Sequence, residues 1–124
     1  MVKTGGKPIP VQNVVVGTKI SGVVGTRPSP MIVKRVIEEK WPAIITVTAG
    51  GHTASFSPGT TFFCQNGRRR ADQLKVGDRV RIFDDLLHIV VLDSLERLEG
   101  GFRMFDFECE GEASYLIASG FIVR

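Results

Sequence analysis

Apolar and polar residues alternate along most of this chain at the two-residue period of a half-buried β-strand, with little at the helical period. Lys19 to Val24, Ala43 to Thr48, Thr61 to Cys64, Val80 to Phe83, Leu86 to Asp93 and Phe102 to Cys109 each read as strands. The β-branched run Met31 to Ile37 favours another, with a short helix through Glu39 as the alternative. Glycine and proline punctuate the rest. Ala49-Gly50-Gly51 turns into a return strand, His52 to Phe56, and Asn66-Gly67 predicts a type I′ hairpin. Ser57-Pro58-Gly59-Thr60 is a turn, and Ser114 to Ile117 and Gly120 to Val123 are two short strands around Ala118-Ser119-Gly120. Gly25 to Pro30, with two prolines, predicts an irregular loop, and Trp41-Pro42 predicts a break. Ser94 to Gly101 fits one helical turn or a wide hairpin end, and Met1 to Lys7 a frayed terminus or an edge-strand stub.

One stretch occurs twice. Ala71 to Val80 (Ala-Asp-Gln-Leu-Lys-Val-Gly-Asp-Arg-Val) is matched sixty residues earlier by Val11 to Ile20, with Val14, Val16, Gly17 and Ile20 at the positions of Leu74, Val76, Gly77 and Val80. Leu74 and Val76 are expected to pack inward and Gly77-Asp78 to turn the chain. The later strands and turns also correspond, so the halves run roughly over 6–64 and 67–124. This predicts a single all-β domain over 1–124 with pseudo-twofold internal duplication, its strands exchanged so that neither half folds alone.

Composition narrows the function classes. Of 124 residues, 43% are apolar and 23% charged, which suits a soluble globular domain, and the net charge of +3 is too small to indicate a nucleic-acid partner by itself. No apolar run is long enough to cross a bilayer, and the N-terminus lacks the apolar core of a signal peptide. The expected location is therefore cytoplasmic or within a macromolecular assembly. Cys64 and Cys109 lie in apolar strand runs and are expected to be buried free thiols; no Cys/His cluster suggests a metal, and no cofactor fingerprint is present.

Ala-x-x-Leu-x-Val-Gly-Asp-x-Val at 71–80, the Phe-Asp-Phe-x-Cys run at 105–109 and Ser-Tyr-Leu-Ile-Ala-Ser-Gly-Phe-Ile-Val at 114–123 together resemble the Hint domain of inteins, bacterial intein-like elements and hedgehog processing domains. The resemblance covers nearly the whole chain. It implies a horseshoe-shaped β fold, and it implies where self-processing chemistry would sit. A first-residue Cys or Ser attacks the preceding carbonyl; Met1-Val2-Lys3-Thr4 resembles the residues after that nucleophile, so the nucleophile is expected to be absent. A Thr-x-x-His turn activates the scissile amide through its imidazole; the matching turn is Ser57 to Thr60, where Thr60 cannot shuttle a proton at neutral pH. Ala113 falls where a further histidine is common, and Arg124 falls where the histidine of a closing His-Asn pair would stand. Asp106 matches an aspartate that coordinates the cleavage steps in some inteins; a capping carboxylate is its plainer reading.

The resemblance thus implies a Hint-like domain whose chemistry is lost and which acts as a structural or protein-interaction module. Its partners would dock on edge strands near Met1 to Pro8 and Gly120 to Arg124. Such a domain would suit a small component of a larger assembly such as a virus or phage particle. The first alternative is a self-processing element trimmed at its ends. The second is a nucleic-acid-binding module using Arg68, Arg69 and Arg70 with Arg79 and Arg81, the last two of which strand alternation puts on a common outward face; without interleaved aromatics, a solvated face is the plainer reading. His52 reads as a solvated loop residue, His88 as a strand histidine, and Trp41 as a packing residue before it is a partner anchor.

Overall fold

The computed structural model describes residues 2–3, 9–25, 27–84, 86–111 and 115–124. The strands are β1 (Lys19–Val24), β2 (Arg27–Ala49), β3 (His52–Phe56), β4 (Thr61–Cys64), β5 (Gly67–Arg70), β6 (Arg79–Phe83), β7 (Leu87–Glu110), β8 (Tyr115–Ala118) and β9 (Phe121–Val123). They form one sheet in the order β1-β8-β9-β4-β6-β7-β2-β3, with β1 also paired to β2, β9 to β6 and β5 to β4. The β1–β2 pairing closes most of the sheet on itself. Among the described residues, only β3 and β5 keep a single neighbour each.

The all-β prediction is correct, and the repeated stretches fold alike. Val11–Asn13 and Ala71–Gln73 are both 3-10 turns, followed by Gly17 at φ 91° and Gly77 at φ 96°. Each glycine then pins its turn to a long strand. The Gly17 N–H donates to the Val33 carbonyl at 2.7 Å and the Val33 N–H to the Thr18 carbonyl at 3.0 Å; Gly77 and Leu92 bond at 3.0 Å and Leu92 and Asp78 at 2.8 Å in the same pattern. Val14 and Leu74 are buried, as expected. Val16 and Val76 are not: both are 63% exposed, because each belongs to the tight turn and not to the strand that follows.

The largest core joins Phe56, Phe62, Phe121, Ile82, Leu92 and their neighbours. Phe62 and Phe121 are fully buried, and the rings of Phe56, Phe62 and Phe121 meet edge to face at 4.8 to 5.9 Å. A second cluster packs Val2, Val14, Ile20, Met31 and Val33. Val2 is therefore not frayed. Its N–H donates to Ile9 at 2.7 Å, and the Lys3 N–H donates to Ile117 at 2.9 Å. The rest of the Met1 to Lys7 prediction, and Pro8, lie outside the described residues.

Prolines account for two differences from the sequence reading. Arg27 to Pro30 is not an irregular loop but the start of β2, paired with β1 from Val24↔Arg27 to Ser21↔Pro30. Pro28 and Pro30 are two residues apart, so their missing donors fall on one edge, and β2 meets β7 only from Ile32 onward. Trp41-Pro42 does not end the strand either; the ladder with β7 shifts register between Trp41 and Ala43 and continues. Ser94 to Gly101 is neither helix nor hairpin end but part of β7, because β2 offers a partner from Ser94 to Glu99 and again from Phe102, with Gly100 and Gly101 in the register shift between. The Asn66-Gly67 turn is not type I′. Gly67 has φ 113°, but Asn66 is not at positive φ, as both central residues of a type I′ turn must be.

The β2–β7 ribbon carries cross-strand ion pairs: Lys34 with Glu110 at 2.7 Å, Arg35 with Glu108 at 3.6 Å, and Arg103 with Glu38. The Arg103 guanidinium holds Glu38, and the Lys34 ammonium holds Glu110, below the usual carboxylate range. A carboxyl whose folded pKa is depressed stabilises fully above its unfolded pKa and loses that contribution as pH falls through the folded value. These groups are solvent-exposed, so the effect is small and salt-screened. We expect amide-exchange protection in 34–40 and 103–110 to fall between about pH 5 and pH 3, and high salt at pH 7 to mimic part of the loss.

Candidate functional site

The Ser57 to Thr60 turn is built for rigidity. The Thr60 N–H donates to the Ser57 carbonyl at 3.1 Å, the two hydroxyls lie 2.9 Å apart, and the carbonyls of Pro58 and Thr60 accept from Asp72 and Ala71 at 3.1 and 2.8 Å. Gly59 sits against Trp41, whose Cη2 would lie 2.8 Å from a Cβ at that position. The repeated 3-10 turn at Ala71–Gln73 thus holds the very turn that the resemblance singles out. Beside it, the Arg124 N–H donates to Thr61 at 2.8 Å and the Thr61 N–H returns a bond to Arg124 at 3.1 Å.

These groups face a cleft of about 480 Å³ whose lining includes Ser57, Thr60, Asp106 and Arg124. Four of the five remnant positions are therefore brought together; Ala113 lies outside the described residues. Asp106 is exposed on β7, and its Oδ1 accepts from the Phe107 N–H at 2.8 Å, which is the capping role of its plainer reading. Trp41, Ser55 and Phe56 also line the cleft, and nothing in their local sequence marks them. They arrive there because β2 and β3 pack beside the turn.

The chemistry of this lining is limited. The hydroxyls of Ser55, Ser57, Thr60 and Ser119 and the carboxylates of Glu39 and Asp106 can donate, accept and orient, but the lining contains no imidazole and no thiol among the described residues. Cys109 borders a smaller adjoining cleft with Asp106 and Arg124. Burial first, and the Asp106 charge second, push its thiol up, which keeps it protonated at neutral pH. Cys109 is half-buried and not buried as expected; Cys64 is buried, and its thiol is pushed up to about 11 by the same loss of solvent. Both cysteines are free. His52 is not a solvated loop residue: it is on β3, its ring edge-on to Phe121 at 6.3 Å. His88 lies on β7 with Nε2 2.9 Å from Asp84.

The arginines divide. Arg70 lines the cleft and pairs with Asp72 at 3.1 Å. Arg68 and Arg69 are exposed on β5, and Arg79 and Arg81 alternate with buried Val80 and Ile82, on the common face expected of them. The C-terminal segment is not an edge. β9 lies between β8 and β4 and also pairs with β6, and Phe121, Ile122 and Val123 are all buried, because the last strand fills the middle of the sheet.

Among the described residues there is no group of three His, Cys, Asp or Glu side chains that could hold a metal, and no helix long and apolar enough to cross a membrane. No protein-family model and no curated protein sequence matches the chain. Solved structures do match it. A variant of the Ssp DnaB mini-intein superposes with a TM-score of 0.86 at 16% identity, covering 98% of this chain and 87% of that one. The bacterial intein-like domain from Clostridium thermocellum gives 0.84 at 15% identity over 99% and 92%. The gp41-1 intein gives 0.78 at 20% identity over 98% and 90%. The strand order, the paired turns and the cleft at Ser57 to Thr60 thus belong to a chain with the Hint fold, the fold of inteins and intein-like domains.

Proposed function

We propose that this chain is an intein-like domain without self-processing activity that works as a protein-interaction module, holding an extended polypeptide segment in the Ser57 to Thr60 cleft. One observation carries the reading: the cleft keeps its walls and its hydrogen-bonding groups, while its described lining has hydroxyls and no imidazole or thiol. Activating an amide at neutral pH needs a group that exchanges a proton there, and Thr60 does not.

The segment would add to β3. Among the described residues that strand has β2 as its only neighbour; it holds no lysine, arginine, acidic residue or proline at His52 to Phe56, and lines the cleft through Ala54, Ser55 and Phe56. Undefended edges of this kind invite strand addition. The other single-neighbour strand, β5, is Gly-Arg-Arg-Arg and is defended by charge.

The chain placed between two affinity tags is expected to keep its intact mass through long incubation at neutral pH. A spliced or cleaved product would overturn the inactive reading. The interaction is read separately through Trp41, the only tryptophan, which lines the cleft. Peptides selected from a random library should shift its emission on binding and lose at least about tenfold in affinity to Ser57→Trp; selected peptides indifferent to that change would place the interaction elsewhere.

A further inference from the structure

A second surface lies on the far face of the sheet from the large core. On β4, Phe62 and Cys64 point into the core and Phe63 points away; on β6, Val80 and Ile82 point in, and Arg79, Arg81 and Phe83 point away. The fold thereby places an arginine and a phenylalanine, eighteen residues apart in sequence, against each other: the Arg81 guanidinium carbon is 4.4 Å from the Phe63 ring centroid. Tyr115 of β8 stacks on Phe63 at 4.8 Å with 17° between the planes. Arg81 is fixed there by its Nε, which donates to the Cys64 carbonyl at 3.2 Å. Buried Val23, Ile117 and Ile122 support the plate from below.

Charge surrounds these rings. Arg68 is opposite Phe63 in the β4–β5 ladder, Arg79 reaches Gln65 at 3.5 Å, and the Lys3 Nζ is 5.6 Å from the Phe83 centroid. The protein's ion pairs lie mostly elsewhere, on the β2–β7 ribbon. Arg68, Arg69, Arg79 and Arg81 form no ion pair among the described residues. Half-buried rings with unneutralised guanidinium groups beside them are what the linear sequence lacked when it disfavoured nucleic acid.

We propose that the Phe63, Tyr115 and Arg81 plate with Arg68 and Arg79, and with Lys3 at its margin, binds single-stranded nucleic acid, apart from the cleft. Arginines neutralise phosphates, while flat side chains accept unpaired bases by stacking, which a base inside a duplex cannot offer. A guanidinium already stacked on a ring extends that platform.

The test is fluorescence anisotropy of the whole chain with labelled thymidine and uridine oligomers of about twelve nucleotides. Saturable binding is expected at about 50 mM salt, weakening about fiftyfold by 200 mM if four phosphates are neutralised. Tyr115→Ala should lose about tenfold with an unchanged salt slope. Arg68→Ala/Arg79→Ala should weaken binding and flatten the slope by about 1.4; both side chains are exposed, so this variant reports even if Tyr115→Ala fails to fold. The proposal is overturned by no saturable binding at low salt, by a duplex of equal length binding as tightly, by a folded Tyr115→Ala with unchanged affinity, or by binding to phosphatidylserine vesicles without binding to either oligomer.

Discussion

Phe121→Ala is expected to destabilise the protein by about 3–5 kcal/mol, the range for truncating a fully buried phenylalanine. The ring is wholly inaccessible and touches those of Phe56, Phe62 and His52. Its strand is also the joint of the sheet, paired with β8 at Ala118 and with β6 at Ile82. The cavity cannot collapse easily, because the walls come from β3, β4, β6 and β9 and each is fixed by a ladder. For a domain of this length the loss corresponds to a melting temperature lower by about 10–20 °C. Urea unfolding should show a lower midpoint with the same slope. Leu86→Ala is the control: this side chain is 73% exposed, and its truncation should change stability by less than about 0.5 kcal/mol. A cost below about 1 kcal/mol for Phe121→Ala would mean that β9 is not held in the centre of the sheet.

Gly120→Ala is expected to cost about 2–3 kcal/mol, for two separable reasons. Ser119 at φ 49° and Gly120 at φ 89° form a type I′ turn between Ala118 and Phe121, and an alanine in that left-handed region costs about 1–2 kcal/mol. In addition, a Cβ on Gly120 would lie 2.5 Å from Nδ1 and 2.7 Å from Cε1 of His52, and the ring cannot simply swing aside because its edge meets Phe121. Removing the ring removes only the second cost. In a His52→Ala background the glycine change should cost about 1 kcal/mol, leaving a coupling of about 1–2 kcal/mol in the double-mutant cycle. Additive single effects would show that His52 does not occupy the space above the turn.

How much of this was legible follows from how local each feature is. Strands such as Ala43 to Thr48 and Val80 to Phe83 were legible because alternation and burial share one period. Pro28, Pro30 and Pro42 misled, since a proline costs a strand only the donor it lacks, and here a free edge or a register shift absorbs that loss. Val76 misled because a turn residue follows the turn's geometry and not the strand's phase. The gathering of Ser57, Thr60, Asp106 and Arg124 was visible only through the resemblance, since it depends on β7 and β9 arriving beside one turn. Trp41 in the cleft, the open edge of β3, and Phe63 between Arg81 and Tyr115 depend on partners eighteen to some fifty residues away, which no local pattern encodes.

The position of β9 also bears on how the protein is made. Phe121 to Val123 is the last strand in sequence and joins β8, β4 and β6. On the ribosome, β4 and β6 emerge first and wait with one edge bare and their inward residues, Phe62 and Ile82 among them, without their cover. The sheet closes only after synthesis has passed residue 123. Closure is therefore governed by contacts distant in sequence, which slows folding, and the sheet still lacking β9 is the form most exposed to aggregation.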